Sequence, residues 1–244
     1  SRTKLIAITH TSNVVGLDMD LARMNRIAKL TGARILVDAT QATGHQSLDV
    51  DSLGADFVVF SGHKMLGPTG IGILYIAEKR HDEVMPYQVG GGMVHSVDFH
   101  SYTTAAAPHK LEAGTPPIAE ALGLEAAITY LKQRSLAELK EYETSLSRRF
   151  KEGLALLPDL IALPGTYNSQ NSHIVSFTSN RLHAHDVAAY LDQKSISVRA
   201  GHHCAQPLHK RLGIDASVRV SFAGYSTMND VDTILEALSN LPSL

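Results

Sequence analysis

The sequence predicts an α/β protein: a mainly parallel sheet covered on both faces by helices, followed by a smaller α+β domain. Three observations carry this reading. Apolar strands and an amphipathic helix alternate at the start, with a strand over 5–8, a helix whose apolar face is Leu21, Met24, Ile27 and Ala28, and a strand over 34–38. The strands are near-continuous apolar runs, the pattern of a sheet buried on both sides. Beyond Pro158 the order changes to strands over 174–177, 196–199 and 218–222 interleaved with helices over 184–194 and around Val231, Ile234, Leu235 and Leu238.

Each element follows from local signals. Asp18 is placed to cap the first helix and Gly32 to close it. A strand over 57–60 runs into Ser61-Gly62-His63-Lys64, a glycine-proline loop follows, and a second strand covers 71–76. A short helix is expected over 78–85, then a loop rich in small residues through Gly90-Gly91-Gly92 to Glu112-Ala113-Gly114-Thr115-Pro116. Two long helices, 116–133 and 136–157, come next; the second carries Leu136, Leu139, Tyr142, Leu146, Phe150, Leu154 and Leu157 at helical spacing. The domain boundary falls near residue 134, giving domains 1–133 and 134–244. Ligands of open α/β sheets sit beyond the carboxyl ends of the strands. Asn13, Asp38 and the Ser61–Lys64 turn all fall at such ends, so they are expected to face one crevice.

Composition narrows the function. With 44% hydrophobic residues, 19% charged residues and a formal net charge of −2, nothing marks a surface for nucleic acid or acidic membrane. There is no run of about 18 apolar residues and no secretory layout over the first thirty, so a soluble, cytoplasmic protein is expected. One cysteine, Cys204, excludes an internal disulfide. The chain opens on Ser1 and enters an apolar strand almost at once, as a chain begun in mid-domain would.

A lysine in a strand-end turn is ordinarily a solvated surface group. Lys64, among small and polar residues, could instead be held partly dry as a nucleophile toward a carbonyl. Asp38 could cap a helix, but with Gln41 one turn on it could also address a flat ligand. An imine-forming lysine, with a carboxylate that keeps a pyridine nitrogen protonated, is what pyridoxal phosphate chemistry needs; Ser61, His63 and glycine-rich backbone could take the phosphate. No dinucleotide or P-loop fingerprint occurs. A lone cysteine is usually a buried, inert residue. Around Cys204, however, Arg199, His202 and His203 gather potential positive charge, which favours the thiolate. A zinc site from His202, His203 and Cys204 is disfavoured, since adjacent residues do not converge on one tetrahedral ion. His183 and His185 fall on the lead-in to a helix, with no role assigned.

Five stretches, in order, carry a resemblance: Thr9-His10-Thr11-Ser12-Asn13-Val14-Val15-Gly16, Val37-Asp38-Ala39-Thr40-Gln41-Ala42, Ser61-Gly62-His63-Lys64 with Gly67-Pro68-Thr69-Gly70, Glu112-Ala113-Gly114-Thr115-Pro116, and Arg199-Ala200-Gly201-His202-His203-Cys204-Ala205-Gln206-Pro207. Together they resemble the cysteine desulfurases of the class V aminotransferase family, and the short His-His-Cys-Ala-Gln-Pro segment resembles their group II, SUF-type members. The resemblance implies a fold-type I pyridoxal phosphate (PLP) enzyme that converts L-cysteine to L-alanine and an enzyme persulfide, for iron-sulfur cluster or other sulfur biosynthesis. It implies that Lys64 carries the cofactor as an aldimine and moves the Cα proton, that Asp38 faces the ring nitrogen and Gln41 the ring hydroxyl, and that Ser61 and His63 hold the phosphate. Thr115 would reach the phosphate of a partner subunit, making a homodimer part of the site. Asn13, Arg199 and Arg219 would hold the substrate carboxylate, Cys204 would take the sulfur, and an acceptor protein of the SufE or SufU type would receive it.

Ala39 stands where such enzymes commonly have glycine. A complete member carries further chain before Leu5, including a histidine that stacks on the cofactor, so a piece beginning at Ser1 is expected to bind cofactor weakly and turn over slowly or not at all. The rivals are a selenocysteine lyase or another class V aminotransferase-type activity, and an inactive dimerisation or docking module.

Overall fold

A computed structural model describes residues 2–166 and 172–242, which form two compact units. The first comprises residues 2–9, 20–44 and 48–133. Its sheet runs β1-β2-β3-β4, from β1 (Leu5–Thr9), β2 (Arg34–Asp38), β3 (Phe57–Ser61) and β4 (Gly72–Ile76). The pairs β1–β2 and β2–β3 are parallel, and β4 closes the edge antiparallel to β3. Parallel neighbours need a crossover, supplied between β1 and β2 by α1 (Leu21–Thr31) and between β2 and β3 by the short α2 (Val50–Leu53). Ala28, Ile35, Val37, Ala39, Ala55 and Val58 form the buried layer beneath.

The cap of α1 is Asp20, whose side chain accepts from the Arg23 amide at 2.8 Å; Gly32, left-handed at φ 70°, ends it. Asp18 is not the cap. It accepts from Thr11 Oγ1 at 2.5 Å and bridges Thr11 through the backbone, because residues 10–19 belong to the second unit. Glu78–Glu83 is a 3-10 helix rather than an α-helix. The stretch read as loop contains a hairpin, β5 (Val94–Val97) with β6 (Tyr102–Thr104), whose strands are too short and too polar to show an alternation. Helix α3 (Ile118–Lys132) completes the unit.

The second unit takes in residues 134–242 together with 10–19 and 45–47. It contains α4 (Leu136–Leu154), β7 (Leu160–Ala162), β8 (Ile174–Ser179), α5 (Ala184–Asp192), β9 (Arg199–Gly201), α6 (Gln206–Leu212), β10 (Ser217–Ser221) and α7 (Met228–Ser239). The sheet order is β7-β8-β10-β9, antiparallel throughout. The strand expected over 196–199 pairs only from Arg199 onward; Ile196 and Val198 pack on the core as coil. Phe150 of α4 is fully buried, its ring 6.2 Å from Phe177 and edge-on to Phe222 at 5.8 Å. Helix α7 opens on a capping box between Thr227 and Asp230.

Segment 10–19 joins this unit through backbone that only glycine permits. Gly16 has φ +66°, and a Cβ there would lie 1.8 Å from Ser172 Oγ. Ser176 Oγ donates to Val14 O at 2.6 Å, and Val14, Val15 and Leu163 form a small buried cluster. Among the described residues no helix is long and apolar enough to cross a membrane.

Phe150→Ala should destabilise the second unit by about 3–5 kcal/mol, read as a lowered urea midpoint. A change below about 1 kcal/mol would show that the ring cluster is not the centre of this core.

Candidate active site

Within the first unit, parallel register gathers one group of polar side chains. Asp38 ends β2 opposite Val59, so β3 continues two residues further to Ser61 before the chain turns. The turn is a short 3-10 helix, Gly62–Lys64, in which a Cβ on Gly62 would meet Ile71 Cγ2 at 2.9 Å and Ile71 O at 3.1 Å. Ser61 Oγ and His63 Nδ1 are hydrogen-bonded at 2.7 Å. Asp38 is exposed, with Oδ1 accepting from the Thr40 amide at 2.9 Å, and Gln41 lies half-buried in the following turn. Lys64 is exposed. Thr115, also exposed, precedes α3 in the same unit. An amine, a carboxylate and a hydroxyl–imidazole pair at the ends of two adjacent strands suit a flat, phosphate-bearing aldehyde cofactor in donor chemistry.

Within the second unit a cleft of about 450 Å³ opens beside Cys204, lined by Arg199, Ala200, His202, His203, Gln206 and Pro207. Cys204 is exposed, and Arg199 Nη2 lies 3.5 Å from its Sγ as donor. His203 and Cys204 both have left-handed backbone, φ 53° and 63°, a conformation unfavourable for residues with a Cβ. Arg199 of β9 stands directly across from Arg219 of β10. Burial first, and then Arg199, holds the Arg219 guanidinium below its usual value, with Cys204 acting in the opposite sense. Arg219 Nη1 donates to Asn13 O at 2.9 Å, while its Nε is buried without a hydrogen-bond partner. Two facing guanidiniums, one with an orphaned donor, suit an anion.

Asn13 falls in the second unit, where its side-chain amide donates to His203 O. One expectation changes here. His203 supplies no positive charge at neutral pH, because burial, then Arg219, His209 and Arg199, push its pKa down to about 4. Arg199 donates to the thiol, and Arg219 also interacts with it through its charge. His183 caps α5, its Nδ1 accepting from the His185 amide at 3.3 Å, and both rings are exposed.

The aminotransferase class-V family matches residues 1–234. The chain belongs to that family. A cysteine desulfurase of Salmonella typhimurium is 44% identical over 244 residues, covering 100% of this chain and 59% of that protein. The apo cysteine desulfurase of Thermococcus onnurineus superposes with a TM-score of 0.93 at 42% identity, over 97% of this chain and 59% of that one. The Escherichia coli cysteine desulfurase CsdA gives 0.92 at 38%, over 97% and 58%. The chain thus spans about three fifths of the relatives it matches. Its fold is that of the class V, fold-type I PLP enzymes, with a partial large sheet domain and a second α+β unit.

Sequence reasoning missed a second cluster in the second unit of this class V chain. Glu143, 2% exposed on α4, receives His45 Nδ1 at 2.9 Å, and the His45 and His173 rings stack 3.6 Å apart at 11°. Their donor atoms lie within 4.8 Å of one another. Nearly parallel rings at that spacing do not aim in-plane lone pairs at one point, so the trio is built as a stacked, hydrogen-bonded group rather than as a chelate. Burial, then the neighbouring His45, Arg219 and Lys140, push the His173 pKa down to about 3.

His173 and His203 both titrate lower when folded than when unfolded, so below about pH 6.5 the unfolded chain binds protons that the folded chain does not. Each contributes stability that is complete above pH 6.5 and declines as pH falls, by up to about 1.4 kcal/mol per unit, until about pH 4 for His203 and about pH 3 for His173. His173→Phe, which keeps a ring on the stack, should flatten the urea-derived stability profile between pH 6.5 and 4.5 by about that slope. An unchanged profile would contradict the assignment.

Proposed function

We propose that this chain is the lysine- and cysteine-bearing part of a PLP-dependent cysteine desulfurase. The observation that carries the reading is Cys204: the one thiol of the chain, exposed in a left-handed turn, with Arg199 donating to its sulfur and paired arginines across β9 and β10. Family membership and the desulfurase relatives support it.

Lys64, Asp38, Gln41, Ser61 and His63 would hold PLP, with Ser61 and His63 toward the phosphate. When bound, the cofactor supplies an electron sink for negative charge at the substrate's Cα. Asp38 keeps the ring nitrogen protonated, and the Lys64 amine takes and returns the Cα proton. Arg199 and Arg219 bind the carboxylate of L-cysteine; Asn13, which gives one of its two amide hydrogens to His203 O, donates the other to it. Cys204, as thiolate, attacks the substrate sulfur. The S–S bond forms as the substrate's Cβ–S bond breaks, the electron pair passes to carbon, and protonation gives L-alanine and a Cys204 persulfide. A thiol on an acceptor protein of the SufE or SufU type then takes the outer sulfur, toward iron-sulfur cluster assembly. A thiol that must stay reduced suits the cytoplasm.

A homodimer completes the reading, with Thr115 reaching toward the partner's cofactor phosphate. Met85, Tyr87, Val89, Phe99 and Tyr102 are exposed apolar residues in the first unit, a surface suited to burial against a second copy.

With PLP and L-cysteine, the protein should release alanine and gain about 32 Da at Cys204, the mass of one sulfur atom carried by the thiol nucleophile. Cys204→Ala should keep cofactor absorbance and lose about 100-fold or more of alanine formation. Sulfur-free keto-acid formation would favour a transaminase, selenide release without sulfide a selenocysteine lyase, and no turnover in the complete dimer a docking module.

A further inference from the structure

Cys204 is held from both sides through one buried hydroxyl. Ser217 of β10 is 0% exposed, and its Oγ lies 3.0 Å from His203 Nε2 and 2.9 Å from His209 Nε2. His209, 1% exposed on α6, reaches Ala205 O through Nδ1 at 3.1 Å and meets the His202 ring edge-on at 5.5 Å. A carbonyl only accepts, so His209 Nδ1 carries hydrogen. With His209 neutral, its Nε2 then accepts from Ser217, and Ser217 Oγ accepts from His203 Nε2. His203 Nδ1 is buried without a hydrogen-bond partner, and Ser217 holds the ring through its hydroxyl at Nε2 and also through its backbone. The residue before Cys204 is thus tied through its side chain, the residue after it through its carbonyl, and both ties meet at Ser217. The first tied residue, His203, and Cys204 between the ties are the two left-handed residues.

We propose that the His203–Ser217–His209 relay is a positioning device for the Cys204 thiol, holding the strained turn so that Sγ stays against Arg199. Without the shared hydroxyl, His203 can leave its buried place, the turn relaxes toward ordinary backbone, and the sulfur separates from the guanidinium. The inference rests on the reading of Cys204 as the sulfur-accepting thiol, but its geometry and its test need neither cofactor nor turnover.

The test is a double-mutant cycle read by iodoacetamide alkylation, which reports on Cys204 alone because the chain has no other cysteine. Arg199→Gln should slow alkylation about fivefold in the parent and less than about twofold in the Ser217→Ala background. His209→Phe, which cuts the same relay at its other end and keeps a ring, should abolish the coupling equally. A loss of packing alone would leave the Arg199 effect in place. The proposal is overturned if Arg199→Gln has no effect in the parent, or if either relay variant, folded with a cooperative thermal transition, retains the fivefold effect. If the coupling is found while Cys204→Ala still desulfurates cysteine, only the functional reading fails.

Discussion

The parallel pairing of β2 with β3 is the constraint on which the first unit's chemistry depends. Parallel strands in fixed register end on the same edge, so Asp38 and the Ser61–Lys64 turn are neighbours for as long as Val37 and Val58 stay paired and buried. A slip of one residue would send Asp38 to the opposite face of the sheet. The buried layer therefore fixes where the carboxylate stands relative to the amine. Asp56, at the start of β3, reinforces the same register: its Oδ2 accepts from the Ile35 amide at 3.0 Å and its Oδ1 from Arg80 at 2.8 Å. Burial opposes the charge and is the largest single influence, but the hydrogen bonds from Arg80 and the Ile35 amide and the charges of Arg80 and Lys79 together outweigh it and hold the carboxyl below its ordinary range.

The second unit meets the opposite requirement. The Cys204 thiol is exposed and is not anchored by its own burial; the groups that hold its loop are buried instead. Ser217 and His209 lie under the loop, Asn13 holds the His203 carbonyl, and the α4–β8–β10–α7 core anchors the strands that carry the arginines. The loop is unfavourable in backbone and exposed at its tip, and its ties are almost wholly buried.

The sheet of the first unit was legible because its strands are continuous apolar runs ended by polar residues, and helix α4 because its apolar residues repeat at helical spacing. The α1 cap was misplaced by two residues, since the bridge that occupies Asp18 depends on a partner seven residues away. The β5–β6 hairpin carried no periodic signal. At the site, Cys204 and Arg199 could be named because they sit in one short segment. Ser217 and His209 could not: each is an ordinary residue on a separate element, and only folding brings their side chains together. The same holds for Glu143 with His45, 98 residues apart. His203 was misread because adjacency in sequence suggested charge at the thiol, whereas its ring turns inward and loses its proton.

The most direct test of the whole account is to add PLP, reduce with borohydride, digest, and find by mass which lysine has gained a pyridoxyl group. The account predicts the mark on Lys64 and its loss in Asp38→Ala, because the carboxylate at the end of β2 serves the amine at the end of β3. A pyridoxyl group on any other lysine, or labelling of Lys64 indifferent to Asp38, would contradict it.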